Sequence, residues 1–288
     1  MADQIEEHRI RKYATGIDLL AQQRFTRFRM AVRVENDVNA KISFWDQMGS
    51  IEMTKKTGRH TATPAVDMPH KRRALVTAAY ETGALVDEVD LTTVLNDPTG
   101  AYGETMASAA GRKQDDVIIA AATASAKTGE DGDVLVPHPA AFKVPVDTGP
   151  MTLAKALHAK RILDQAEVDE SRTRHAFLKA NQYEQILAIE KFTSADYTTV
   201  QALVQGDLKS YLGFQWGRSE RLLPDGSADI QCLFYAQDSI LLGVATDVTA
   251  RVGERADLSY DTQVYYKMVI GATRMDETGV VTVQCTPT

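Results

Sequence analysis

Apolar and polar positions follow different rhythms in successive parts of this chain, and each rhythm predicts a different kind of element. Residues 4–23 carry a thin apolar stripe, Ile5, Ile10, Tyr13, Ile17 and Leu20, among charges of both signs. That spacing predicts a helix too weakly apolar to form a core alone, which fits an arm that docks on something else. "RFTRFRMAVR", basic and aromatic, has the residue types of a nucleic-acid contact, but its acidic flanks favour an extended segment. Phe25, Met30 and Val32 form its packed side, and Arg24, Arg27, Arg29 and Arg33 its solvated or ion-paired side. Residues 46–73 lose all periodicity: they have few large apolar residues, two Pro, two Gly and a basic end. So long a loop is uncommon inside a compact domain, and an extended two-stranded excursion would satisfy it. Around Gly83, the residues Leu75, Val76, Leu85, Val86, Val89, Leu91 and Val94 predict strand segments that end at the turn "NDPTG".

The helical rhythm is clearest over residues 101–126, where Met106, Ala110, Val117, Ala121 and Ala124 line one stripe in an alanine-rich run. Such a small-faced helix lets another backbone approach along its length. Pro150 and Thr152 announce a second helix, with Leu153, Leu157, Ile162, Leu163 and Ala166 facing inward. "RHAFLKA" predicts a short strand, "NQYEQILAI" a helix, and "TSADYTTVQALVQG" a further helical stretch closed by Gly206. "YLGFQWGRSERLL" predicts a strand ended by "PDGS", with Gly213 and Gly217 allowing close approach and Phe214 and Trp216 on one face. "QCLFYAQDSILLGV" reads as strand and turn. The last part predicts a long strand buried on both sides, a turn at "DETG" and a closing strand.

Composition narrows the class. The 288 residues are 44% apolar and 25% charged, the balance of an ordinary globular chain, and the formal charge is −7. A free-standing duplex-binding module would be basic, so sequence-independent DNA binding is not expected as the main task. Cys232 and Cys285 are far apart and form no CxxC. They are expected as buried small apolar residues in a reducing compartment rather than as a disulfide. No apolar run reaches the roughly 18 residues of a membrane span, and "MADQIEEHRIRKYATGIDLL" lacks the apolar core of a secretory signal. A soluble protein made in the cytoplasm, with no membrane partner, is the expectation.

Motifs for chemistry fail one by one. No two glycines sit two apart, so GxGxxG cannot occur, and there is no GxxxxGK[ST] and no HExxH. The six histidines never pair at a metal-binding spacing, so no metal or cofactor is expected. "GRSER" starts like a nucleophile elbow, but Arg221 stands where GxSxG needs glycine, so Ser219 reads as a strand hydroxyl. Asp115 and Asp116 are adjacent and cannot face one substrate together from a helix. An α/β enzyme with a site assembled purely by the fold stays open as an alternative.

The order of elements and three local stretches carry a resemblance. "RHAFLKANQYEQIL", "KSYLGFQWGRSERLL" and "TQVYYKMVIGATRMDETGVVTV" are similar to a strand entering a helix, a crossing strand and a terminal strand pair of one known family. The chain resembles the major capsid proteins of tailed dsDNA bacteriophages, with the Hong Kong 97-type fold, from about residue 45 onward. That resemblance implies an α+β fold with four parts: an N-arm (1–45), an extended loop (46–80), a peripheral domain (81–170 with 256–288, spine helix 101–126) and an axial domain (171–255). It implies hexamers and pentamers of the chain itself in a virion shell around non-specifically held dsDNA. Scaffolding, portal and decoration proteins would be further partners. An encapsulin-like cellular compartment shares the fold and remains the alternative. No position matches a cross-linking Lys–Asn pair. Under this reading Lys55, Lys56, Arg59, Lys71, Arg72 and Arg73 are candidates to meet acidic neighbour surfaces, such as the Asp115/Asp116 face of an adjacent spine helix. Arg218, Glu220 and Arg221 are candidate contacts to the next subunit, and Gly103 and Gly111 candidate hinges of the spine.

Overall fold

A computed structural model describes residues 22–287 apart from 37, 60, 63–64, 88–98, 148, 170 and 189–209. The predicted N-terminal helix, Val89, Leu91, Val94 and the helical stretch closed by Gly206 lie outside the described residues. The first part of the chain forms β1 (Arg33–Asn36), β2 (Ile42–Met48), β3 (His70–Val76) and β4 (Ala78–Val86), then the helix α1 (Thr99–Thr123). Next come β5 (Ala126–Thr128), β6 (Val134–Val136), β7 (Lys143–Val144), α2 (Leu153–Gln165), β8 (Arg174–Leu178) and α3 (Ala180–Leu187). The last part forms β9 (Ser210–Tyr211), β10 (Phe214–Arg218), β11 (Ile230–Ala236), β12 (Ile240–Arg255), β13 (Asp261–Arg274) and β14 (Val280–Cys285).

These strands build three sheets, ordered β1-β12-β13-β4, β7-β14-β11-β8-β10-β9 and β2-β3-β5-β6. The six-stranded sheet holds the core between two layers, because its strands are apolar at successive positions and so bury both faces. All five residues of β8 are buried. On one face Phe214 and Trp216 meet the Phe234 ring edge-on at 5.2 and 5.7 Å. On the other, Phe177 stacks on Phe28 at 4.0 Å. Gly217 has to be glycine here, since a Cβ would stand 2.5 Å from the Phe177 ring. Gly213 has a different task from the expected close approach. Nothing lies within 4 Å of it, and with Leu212 it has positive φ (81° and 56°), forming a two-residue turn between β9 and β10.

Residues 22–45 do not form a separate arm. Phe28 is in the core, β1 pairs in parallel with β12, and Val38 packs with Leu75, Leu241 and Met275. The division implied at 255/256 falls at the tip of the β12/β13 hairpin, whose strands pair from Ile240↔Arg274 to Arg255↔Asp261. Likewise β11, from the implied axial part, pairs with β14 from the peripheral part.

The helices keep their predicted places and shift their buried faces. Thr152 caps α2 by accepting from Lys155 N–H at 3.4 Å. Yet Leu157 is exposed and Lys155 is buried, its Nζ donating to the carbonyls of Val146 (2.8 Å), Gly149 (3.2 Å) and Gln284 (3.0 Å). In α1 Met106 and Ala110 are buried and Val117 packs against the core as expected, but the fully buried face then runs through Gly111, Gln114, Asp115, Ile118 and Ala122, with Ala121 half-buried and Ala124 exposed. The helix turns that way because the chain at 24–28 crosses it. Arg24 O and Thr26 N lie 3.5 Å from where a Gly111 Cβ would be, and Asp115 binds the backbone just beyond.

The β3–β4 corner crosses the long sheet at a second glycine contact. Gly243 and Gly271 are direct partners in the β12/β13 ladder. A Cβ on Gly271 would stand 2.3 Å from the Val76 carbonyl oxygen, and one on Gly243 2.9 Å from Leu75. This glycine pair forms a saddle in which the β3–β4 chain sits.

Candidate assembly interface

Among the described residues, most of those in the 49–69 loop are exposed. β2 and β3 pair over seven residues, from Ile42↔Val76 to Met48↔His70, and Gly49 N–H closes the ladder on Pro69 O at 2.9 Å. Beyond it the described residues of the loop form no regular structure, as their Gly, Pro and Thr content dictates. Met48, Ile51, Val66 and Met68 are exposed, and Met53 is 100% exposed. Lys55, Lys56 and Arg59 stand exposed on the same loop, with Lys71 exposed at its root.

The other candidate charges are engaged inside their own chain. Arg72 donates to Asp46 (2.6 Å) and lies over the Phe44 ring. Arg73 is 4% exposed and donates to Met275 O at 3.1 Å and to the Glu277 carboxylate. Asp116 holds Arg221 in a bidentate pair with both contacts at 2.5 Å, which raises the Arg221 pKa. Glu220 accepts from Ala180 N–H at 2.6 Å, at the N-terminus of α3 where the helix dipole favours a carboxylate. Arg218 lies over the Tyr183 ring, and its carbonyl accepts from the Arg27 guanidinium.

Asp115 departs furthest from expectation. It is 0% exposed and accepts from Arg27 N–H (3.1 Å), Phe28 N–H (3.2 Å) and Gln23 Nε2 (2.5 Å). Burial pushes its pKa up, and the two backbone donors oppose that shift. A loop cation from a neighbour cannot reach it, so the expected Asp115/Asp116 acceptor face is corrected. Both acids are already used, one to fix the crossing segment and one to hold Arg221.

Sequence reasoning missed the buried cation that completes α1. Arg274 is 0% exposed and donates to Ala122 O (3.0 Å), Ala124 O (2.8 Å) and Val136 O (3.3 Å), satisfying carbonyls orphaned at the helix C-terminus. A lone Arg inside "MVIGATRM" was the available signal. His138 and His175 are buried and neutral, each with a pKa lowered to about 4 chiefly by desolvation. Ser219 sits just past β10 and accepts from Arg221 N–H at 3.3 Å. Among the described residues no group of three His, Cys, Asp or Glu could hold a metal ion, and no helix is long and apolar enough to cross a membrane.

The family model for phage capsid protein matches residues 5–287. The chain belongs to that family. Its fold is that of solved phage capsids. The capsid of cyanophage P-SCSP1u superposes with a TM-score of 0.78 at 14% identity, covering 100% of this chain and 96% of that one. Cyanophage Pam1 gives 0.76 at 15%, covering 99% of both chains. The capsid of Ralstonia phage GP4 gives 0.72 at 8%, covering 96% and 95%. No curated protein sequence matches. This phage capsid protein is therefore a major capsid protein, a structural component of the virion, with the Hong Kong 97-type α+β fold expected of it.

Proposed function

We propose that copies of this capsid protein form the hexamers and pentamers of an icosahedral shell around dsDNA, made in the bacterial cytoplasm with scaffolding, portal and decoration proteins as partners. One observation carries the subunit-level part of this reading. Met48 at the end of β2 and Ile51, Met53, Val66 and Met68 on the loop beyond it are exposed, and large apolar side chains gathered on one exposed segment mark an interaction site. A neighbouring copy is its natural cover, because obligate interfaces reach about 2,000–5,000 Å² and a projecting loop adds area without enlarging the body. Lys55, Lys56, Arg59 and Lys71 are the charges free to set its register. Each such exposed pair contributes only about 0–1 kcal/mol.

The four-part division stays part of this proposal, with the described residues of 22–45 packed into the body and strands paired across the axial and peripheral parts. Gly103 and Gly111 are the proposed bending points of α1 during shell expansion. At Gly111 a bend would move the 24–28 segment with it, since that backbone rests on the glycine.

Electron microscopy of the purified protein tests the reading. Closed icosahedral shells or flat hexamers are expected, and shells from infected cells should contain DNA. A protein that stays monomeric at high concentration would overturn it, and native shells filled with a cargo enzyme would replace it with the compartment reading.

A further inference from the structure

This inference rests on the shell-forming reading and deepens it by assigning what aims the loop. The β2/β3 ribbon is a lever of seven pairs, about 24 Å long at ~3.4 Å per residue. A tilt of ten degrees at its root would move its far end by about 4 Å, enough to lose side-chain contacts with a neighbour. Something must therefore hold the angle, and the ribbon's alternation shows where to look.

Trp45 and Arg73 are paired across the ladder, as are Gln47 and Lys71 and also Ser43 and Leu75, so these six side chains share one face. That face meets the β13–β14 turn. Leu75 and Trp45 pack with Met275. Arg73 Nε and Gln47 Nε2 both donate to Met275 O, at 3.1 and 2.9 Å, and the Arg73 guanidinium also binds Glu277. The opposite face rests on the β5–β6 loop, where Gly132 stands against Ala74 and Phe44. An apolar cluster would be enough to bury this face. Three directional bonds on a single turn, two of them on one carbonyl, also fix its rotation. A buried arginine is retained at a desolvation cost that packing alone would avoid, which is the mark of a specifying contact.

We propose that Arg73 and Gln47 are positioning residues that set the direction of the 49–69 loop by locking the loop-proximal half of the ribbon, at its fourth and sixth pairs, to Met275 and Glu277, and so decide where on a second copy the loop lands. The test compares the full chain with Arg73→Met, Glu277→Gln and Gln47→Leu. A spin label at Met53→Cys and another at Asp257→Cys report loop direction in the unassembled chain, since Cys232 and Cys285 are buried. Electron microscopy reports shell diameter. The expected result is one narrow label distance and one shell size for the parent chain. Arg73→Met and Glu277→Gln should give a distance distribution broadened at least twofold and shells of mixed size or none, with unchanged circular dichroism. An unchanged narrow distance in folded variants would overturn the proposal. If Arg73→Met fails to fold, Gln47→Leu decides: it loses one bond at the partly exposed edge and should still broaden the distance. A parent chain that forms no shells or hexamers overturns the proposed self-assembly, while the label distances still judge the positioning role by themselves.

Discussion

Replacing Gly271 by alanine tests the saddle on which the β3–β4 corner crosses the long sheet. The added Cβ would lie 2.3 Å from the Val76 carbonyl oxygen, 3.0 Å from Val76 C and 3.1 Å from Thr77 Cα. All three obstacles are backbone, so no rotamer change relieves the contact. Relief requires the corner to rise off β13 by roughly 0.7 Å or more, since a Cβ is not found within ~3.0 Å of such an atom. The lift acts on the packing of Leu75 against Val38 and Leu241 and on the start of the β4/β13 ladder at Ala78↔Ile270. Overpacking of this kind costs about 1–3 kcal/mol, and a purely backbone clash places it at the upper end. Urea titration followed by the fluorescence of Trp45 and Trp216 reads the cost. With a slope near 3 kcal/mol per M, a loss of about 3 kcal/mol lowers the midpoint by about 1 M. Gly253, in β12 near the hairpin tip, has nothing within 4 Å, so Gly253→Ala should be neutral or stabilising by about 0.5 kcal/mol. A Gly271→Ala chain with the parent midpoint would refute the crossing, and equal losses at both positions would show that the cost is not steric.

Other outcomes follow from the buried polar and aromatic groups. Phe28→Ala removes the ring stacked on Phe177 and should cost about 3–5 kcal/mol, measured by the same titration; a loss below 1 kcal/mol would mean that the 22–31 segment is not part of the core. Asp115→Ala leaves the Arg27 and Phe28 amides without an acceptor and should cost about 3 kcal/mol, with faster hydrogen exchange at both amides as the specific sign. The two histidines predict a pH dependence. Their folded pKa of about 4 lies below the ordinary 6.5, so the unfolded chain takes up protons first. Stability should be fully present above pH 6.5 and fall between 6.5 and 4, by up to ~1.4 kcal/mol per pH unit for each histidine. His175→Phe should remove half of that slope. Asp115 contributes the opposite sign in the carboxylate range, because its raised pKa gives a stability term present at low pH and lost as pH rises through the folded value.

Local signals in the sequence were readable to the extent that their causes were local. Thr152 caps a helix because its own side chain reaches Lys155 N–H three residues on, and "DETG" turns because Asp276 accepts from Thr278 N–H two residues on. Phe214 and Trp216 share a face through simple alternation. The failures depend on partners far away in the chain. Asp115 looked like a solvated helix residue because the amides that it binds lie 87 and 88 positions earlier. Arg274 and Lys155 were not singled out, and their buried places depend on carbonyls that include Ala122, 152 positions before Arg274, and Gln284, 129 positions after Lys155. Leu157 looked like core, and the buried places around it went to Lys155, Ala156 and Ala159. The loop charges divided for the same reason. Arg72 and Arg73 sit in the ladder within reach of Asp46 and Glu277, whereas Lys55, Lys56 and Arg59 lie beyond its end.

The place of β14 bears on when a copy becomes competent to assemble. Val280–Cys285 lies between β7 and β11, inside the six-stranded sheet, with Val280, Val281, Val283 and Cys285 fully buried. Every strand that it joins is made earlier on the ribosome. β14 ends 49 residues after β11, so at about 5–20 residues per second a growing chain spends about 2.5–10 seconds with the β11 edge open and its core unfilled. The sheet closes only after those six residues have cleared the exit tunnel. A copy whose β14 is still unmade therefore presents an unfinished sheet and an open β11 edge rather than a finished subunit surface. The order of synthesis thus makes the last strand the one on which completion of the core waits.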